Sequence, residues 1–162
     1  LNPVFHYGYD KFFARCQEAG IDGIIIPDVP FEEKAEVTEA AKKYGVIVIS
    51  MIAPTSEERI KDIAKDAEGF IYVVSSMGVT GVRNEIKTDL SGILSAIKET
   101  TDVPAAVGFG INTTEQAAEI AGMSDGIIVG SAIVKMIAQY GRHAEQHIYT
   151  YVRMMKEAIT KK

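Results

Sequence analysis

A parallel α/β architecture, in the form of five consecutive strands of a (β/α)8 TIM barrel, is the fold class this sequence predicts, and three observations carry it. Short apolar segments rich in Ile and Val alternate five times with amphipathic ones, at roughly 25 to 33 residues per unit. The apolar segments are continuous and not alternating, as expected of strands in a parallel sheet covered by helices. The last two end in glycine clusters, Gly108-Phe109-Gly110 and Gly130-Ser131, where barrels place phosphate groups. A flavodoxin-like doubly wound sheet is the alternative that the same alternation allows. The barrel is favoured because the chain starts with a helix, as though a strand preceded it. A short helix after the last strand, ahead of a separate terminal one, points the same way. Residues 1–162 are read as a single domain, strands four to eight of the barrel with their flanking helices.

The elements follow in order. Residues 9–19 have Phe12, Phe13, Cys16 and Ala19 at spacings of three and four, and Gly20 stops this helix. Ile21 to Pro27 is a β-branched strand. Pro30 opens a helix through Glu32 to Tyr44, closed by Gly45. Val46 to Ala53 is the second strand, and Thr55-Ser56-Glu57-Glu58 reads as a capping box for a helix whose inner face is Ile60, Ile63, Ala64 and Ala67. Gly69 to Ser76 is the third strand. A glycine-bearing loop, Met77 to Asn84, precedes a helix marked by Leu90, Ile93, Leu94 and Ile97. Val103 to Phe109 is the fourth strand, and Thr113 with Gln116 suggests a second capping box. Gly126 to Gly130 is the fifth strand, Ser131 to Gln139 is helical, and a terminal helix shows Ala144, Ile148, Tyr151, Val152, Met155 and Ile159 on one face.

Composition narrows the function classes. The chain is 47% hydrophobic and 24% charged, with a formal net charge of −5, values typical of a globular protein. No cluster of Lys and Arg with interleaved aromatics is present, so nucleic acid is not an expected partner. Apolar runs reach roughly nine residues, short of the ~20 that a membrane span needs. One cysteine, Cys16, fits a reducing compartment and a packed core thiol, and a cytoplasmic location follows as the expectation. No His, Cys and acid set has metal-ligand spacing, and no nucleotide-binding glycine fingerprint or P-loop occurs. The first residue is Leu1, which suggests a piece of something larger.

The chemistry concentrates at the glycine clusters. Gly130 lets a ligand approach the backbone, Ser131 offers a hydroxyl, and the following N–H groups lie at the positive end of a helix. The bland reading is an ordinary helix cap; Gly110 on the neighbouring strand end turns the balance towards a phosphate cradle. Gly78, Thr80 and Gly81 lie in a long loop with the dimensions of a lid, and Gly81 could add one more N–H. Tyr72 lies within a strand, and its hydroxyl needs a partner if it points inward. Phe109 either stacks on an aromatic ligand or plugs the barrel. Asp28 follows a strand, where barrels place catalytic acids, but it reads slightly better as a helix cap. Asp125 and Glu85 look like cap or surface carboxylates. No convincing acid–base pair accompanies the cradle.

Leu1-Asn2-Pro3-Val4-Phe5, the run Gly23 to Glu33, Ala53-Pro54-Thr55, Gly78 to Arg83, Val107 to Ile111 and Gly130 to Val134 together resemble the tryptophan synthase α-subunit family. The likeness covers essentially the whole chain in the family's order. It implies a (β/α)8 barrel that cleaves indole-3-glycerol phosphate to indole and glyceraldehyde 3-phosphate, a lyase step of tryptophan biosynthesis. It further implies a phosphate grip at Gly81, Gly110, Gly130 and Ser131, and substrate contacts at Tyr72, Phe109 and Thr80. Asn2, Phe5, Asp28 and Pro30 match the side that docks a β subunit in an α2β2 assembly. Pyridoxal phosphate belongs to that partner, and no cofactor is expected in this chain.

The departure from the family is an upstream one. The family's catalytic glutamate and aspartate, with the first three strands, lie before the position matching Leu1. The expectation is therefore a chain that grips phosphate without turning the substrate over, accompanied by its own N-terminal piece or by another copy. A non-catalytic phosphate-binding or assembly half-barrel is the reading from another class. A different phosphate-binding barrel enzyme is a third, against which the Gly78 to Arg83 loop and the Pro27 to Glu33 turn weigh.

Overall fold

The computed structural model describes residues 1–75, 89–108 and 110–160. Strand β1 (Gly23–Ile24) pairs in parallel with β2 (Ile47–Val48), and after one residue the same stretch continues as β3 (Ser50–Ile52). β3 pairs with β4 (Ile71–Val74), β4 with β5 (Ala105–Gly108), and β5 with β6 (Gly126–Ile128), all in parallel. The Ile49 amide still donates to the Ile24 carbonyl at 2.9 Å, so the Ile47–Ile52 stretch links both groups of strands. Spatial order thus follows chain order without reversal. A doubly wound sheet reverses its order at a switch point. A sheet that only advances, with right-handed crossovers, puts all its helices on one side and curves into barrel wall. The structure is an arc of a (β/α)8 barrel, and the flavodoxin-like alternative is set aside on strand order.

The helices are α1 (Asn2–Tyr7), α2 (Tyr9–Glu18), α3 (Lys34–Lys43), α4 (Glu57–Lys65), α5 (Leu90–Lys98), α6 (Thr114–Ala121), α7 (Ser131–Tyr140) and α8 (Ala144–Thr160). A 3-10 turn, Phe31–Glu33, leads into α3, and another, Gly141–His143, joins α7 to α8. The glycine stops are real: Gly20 and Gly45 have φ of +70° and +68°, a region where a Cβ is costly. The Thr113–Gln116 capping box forms with both of its hydrogen bonds. α1 had no counterpart among the expected helices. It opens with proline in its first turn, and buries none of its residues, so no amphipathic pattern marks it.

Four expectations need correction. The cap of α4 is Ser56, whose side chain accepts from the Arg59 amide at 3.4 Å, and not a Thr55–Glu58 box. Asp28 caps no helix; its carboxylate takes the Leu1 amino group, and the residue before the 3-10 turn is Pro30. Ala19 is exposed although Phe13 and Cys16 on its helix are buried. Val152 is 45% exposed and stands off the packed face of α8. The strands are also shorter than the apolar runs, because ladder hydrogen bonds need a neighbour while hydrophobicity extends into the flanking turns.

Register sorts the two faces of the sheet. Ile52, Val73, Val107 and Ile127 lie side by side and pack against α4, α5, α6 and α8 residues in the main core. Met51, Tyr72, Ala106 and Gly126 form the next row and face the concave side. A second core gathers Phe13, Cys16, Val37, Ala41 and Val48 between α2, α3 and β2. Exposed apolar side chains gather at the two ends of the arc: Phe5, Ile21 and Ile25 at one, Val134, Ile137, Tyr149 and Val152 at the other.

Exposed ion pairs tie the outer helices together. Arg59 reaches Glu32 with two hydrogen bonds, 2.6 and 3.2 Å, and Lys61 joins Glu57 at 2.7 Å to Glu99 at 3.2 Å. The hydrogen bond from Arg59 holds Glu32 below the ordinary glutamate range, and that from Lys61 does the same to Glu57. Lowered carboxylate pKa values contribute stability that is complete above the ordinary value and lost as pH falls through the lowered one. Thermal melts should therefore show the melting temperature dropping as pH falls below about 4.5. Glu32→Gln should reduce that drop, and half-molar salt should blunt it, since the pairs are exposed. A melting temperature independent of pH between 3 and 6 would remove these pairs from the account.

Candidate functional site

β5 and β6 end side by side, with Gly108 opposite Ile128 in the ladder. Two residues beyond each lies one of the suspected glycines, Gly110 and Gly130. The two turns therefore leave the same edge of the sheet from strands about 4.8 Å apart. Gly130 is the residue before α7, with no side-chain cap. The first bond of the helix runs from the Val134 amide to the Gly130 carbonyl at 3.1 Å. The amides of Ser131, Ala132 and Ile133 thus have no acceptor within the helix, at its positive end. A Cβ built on Gly130 would meet nothing within 4 Å, so the space over this turn is open.

The Gly110 turn is held from below. Its φ of +94° suits glycine. Asn112 donates from Nδ2 to the Gly110 carbonyl at 2.9 Å, and the Asn112 amide donates to Gln116 Oε1 at 3.0 Å. Tyr151, on α8, donates its hydroxyl to the Asn112 carbonyl at 3.0 Å. Tyr72 occupies the concave row just beneath. It is half-buried, and burial raises its phenol above the ordinary range. Its ring lies against Gly108: a Cβ there would come within 2.6 Å of Cζ and 2.9 Å of Cε1. Gly108 is therefore the gap through which Tyr72 leans towards the strand ends that carry the two turns.

Thr80, Gly81 and Phe109 lie outside the described residues, as does the suspected lid from Gly78 to Asn84. Gly110, Gly130, Ser131 and Tyr72 are brought to one edge of the sheet. Asn2, Phe5, Asp28 and Pro30 gather elsewhere: the Leu1 amino group on Asp28 sets the start of α1 beside the 28–30 turn. Phe5 is 59% exposed there and makes edge contacts with His6 and Tyr9 at 5.7 and 6.1 Å. Asp125, read as a cap or surface carboxylate, accepts from the Ala105 amide at 2.9 Å and braces the start of β5.

One feature had no sequence signal. Beyond Ile24, where the pairing of the first strand ends, lies a cavity of about 510 Å3 lined by Pro27, Phe31, Met51 and Val74, with Lys34, Ser50, Thr55 and Arg59 as polar members. Lys34 donates to the buried Ser50 hydroxyl at 2.9 Å and to Asp66 at 3.2 Å. These three residues are sixteen apart in succession, so no local pattern announces them. Among the described residues no group of His, Cys, Asp and Glu could hold a metal ion, and no helix is long and apolar enough to cross a membrane.

The family described as tryptophan synthase alpha chain matches residues 1–160. This chain belongs to that family. The tryptophan synthase alpha chain of Lacticaseibacillus casei is 48% identical over 162 residues, all of this chain and 61% of the relative. That of Thermoanaerobacter pseudethanolicus is 45% identical over 160 residues, again 61% of its length. Among solved structures, a chain of the tryptophan synthase α2β2 complex from Pyrococcus furiosus superposes with a TM-score of 0.84 at 34% identity, covering 96% of this chain and 64% of that one. The alpha chain from Legionella pneumophila superposes at 0.83 with 35% identity, covering 99% and 60%. The chain thus spans about three fifths of the length of the family members it matches, close to the share that five strands make of an eight-stranded barrel.

Proposed function

We propose that this chain supplies the phosphate grip and part of the substrate pocket for cleavage of indole-3-glycerol phosphate to indole and glyceraldehyde 3-phosphate. The observation that carries this reading is the pair of turns at Gly110 and Gly130–Ser131, ending adjacent strands directly above the half-buried Tyr72. Three helix-end amides with no acceptor in the helix suit the three terminal oxygens of a phosphate monoester. The concave row of Met51, Tyr72 and Ala106 offers an apolar floor for the indole ring. Gly81, Thr80 and Phe109 join the grip and pocket on the strength of the family resemblance. Asn2, Phe5, Asp28 and Pro30 form the docking patch for a β subunit in an α2β2 assembly, that partner holding pyridoxal phosphate, in the cytoplasm. The apolar ends of the arc receive the remaining strands of the wall, from an N-terminal piece or another copy, around residues 1–162 as one domain.

Breaking the bond between the indole ring and its glycerol chain requires a proton delivered to the ring carbon and one removed from the adjacent hydroxyl. The family resemblance places the glutamate and aspartate for these tasks upstream of the position matching Leu1. Binding and turnover should accordingly separate. Calorimetry with indole-3-glycerol phosphate should show one saturable site per chain, while a colorimetric assay detects no indole release from the chain by itself. Absence of saturable binding would sink the phosphate grip, and steady indole release would sink the assignment of the proton transfers to residues outside this chain.

A further inference from the structure

Tyr151 lies on α8, far from any glycine cluster in sequence, yet its hydroxyl is spent on the turn that carries Gly110. It donates to the Asn112 carbonyl at 3.0 Å, across 39 residues. Asn112 in turn donates from Nδ2 to the Gly110 carbonyl at 2.9 Å. The same residue's amide donates to Gln116 Oε1 at 3.0 Å, and Gln116 also accepts from Thr113 at 3.3 Å within the capping box of α6. Gly110 has a positive φ, +94°, and glycine by itself leaves φ and ψ free. Something else must choose its orientation, and the hydrogen bond from Asn112 to its carbonyl does so.

The body of Tyr151 is packed against the main core, and burial raises its phenol above the ordinary range. A half-buried hydroxyl that found no acceptor would be costly, so packing and hydrogen bonding lock one rotamer. α8 packs on both α6 and α7. It therefore abuts the helix that follows the Gly110 turn and the helix that follows Gly130. We propose that Tyr151 is a positioning residue for the phosphate grip, acting through Asn112 to hold the Gly110 backbone at the angle an anion needs. The inference rests on the phosphate reading of the Gly110 and Gly130 turns and adds the device that orients one of them. Preorganised N–H donors bind an anion without reordering cost, whereas a turn free to swing gives up affinity each time it is ordered.

The serial arrangement makes a distinctive prediction. Tyr151→Phe removes one oxygen and leaves the packing intact. It should weaken inorganic phosphate binding three- to tenfold by calorimetry, with the melting temperature unchanged and the affinity for indole unchanged. Asn112→Ala should weaken phosphate at least as much, and the double variant should be no worse than Asn112→Ala, because both act on one chain of contacts. Tyr149→Phe, on the same helix but 61% exposed, serves as the control and should bind as the parent does. Backbone amide exchange of the Gly110–Asn112 turn should speed up in Tyr151→Phe without ligand. Phosphate affinity unchanged in Tyr151→Phe overturns the positioning role, whether or not exchange changes. Equal losses for phosphate and indole overturn it too, since they indicate general loosening. No saturable phosphate binding by the parent chain marks instead the failure of the phosphate reading itself, and the positioning role falls with it.

Discussion

Gly130→Asp should reduce phosphate-ester binding at least 100-fold while leaving the chain folded. The two halves of that outcome have separate causes. A Cβ at position 130 meets nothing within 4 Å, and φ there is −121°, so a side chain enters open space and the position does not demand the left-handed backbone that favours glycine. The new carboxylate then sits at the positive end of α7, where it stabilises the helix by roughly 0.3–1 kcal/mol. It also occupies the place where a phosphate would be bound. At a separation of 4 Å and an effective dielectric of 20, two like unit charges repel by about 4 kcal/mol, which is ample for a 100-fold loss. Gly130→Ala separates charge from bulk: it should keep the fold and lose only a fewfold in affinity. The measurement is calorimetric titration beside a thermal melt. Wild-type affinity in Gly130→Asp would take the cradle out of the account, and collapse of the fold in both variants would show a structural role for Gly130 instead.

Gly108→Ala tests the layer beneath. Its Cβ would fall 2.6 Å from Tyr72 Cζ and 2.9 Å from Cε1, distances that force the ring or the strand to move. Overpacking of this kind costs about 1–3 kcal/mol. Gly108 is held in the ladder between Val74 and Ile128, so the strand yields less readily than the ring, and Tyr72 is displaced from its concave position. Tyr72→Phe should bring only part of the relief: it removes the hydroxyl, which would lie nearest the new Cβ, but the clashing ring carbons remain. Tyr72→Ala should bring all of it, at the separate expense of a half-buried ring. Urea unfolding of the two single variants and Gly108→Ala/Tyr72→Ala should thus give a double variant more stable than the sum of the singles predicts, by 1 kcal/mol or more. Additivity within ~0.5 kcal/mol would mean that the two residues do not share this space.

What could be read from residues alone was what neighbours within about four positions decide. Thr113 and Gln116 announce a cap because both bonds close within one turn of helix, and the structure shows both. Ile60, Ile63 and Ala64, and likewise Leu90, Ile93, Leu94 and Ile97, lie buried as their spacing implies. The misreadings have the same origin. Thr55 and Ser56 are both adequate caps, and nothing local chooses between them. Asp28 has a cap-like sequence context, but its partner is Leu1, 27 residues away. α7 is apolar in composition yet buries no residue, because it stands at the end of the arc, where its neighbour on one side is lacking among the described residues.

By itself the sequence determined the alternation of strand and helix, the glycine stops at Gly20 and Gly45, and the glycine pair that marks the strand ends. These follow from steric limits on φ and ψ, from hydrophobic period and from local hydrogen bonds, all short-range. Only the tertiary structure decided the strand order that separates a barrel arc from a doubly wound sheet, since both share the same local pattern and differ in which distant strand completes each ladder. It also decided that Tyr72 leans over Gly108 and that Tyr151 reaches Asn112 across 39 residues. Such contacts form because pairing β4 with β5, and packing α8 on α6 and α7, bring their atoms together, and no spacing along the chain encodes them.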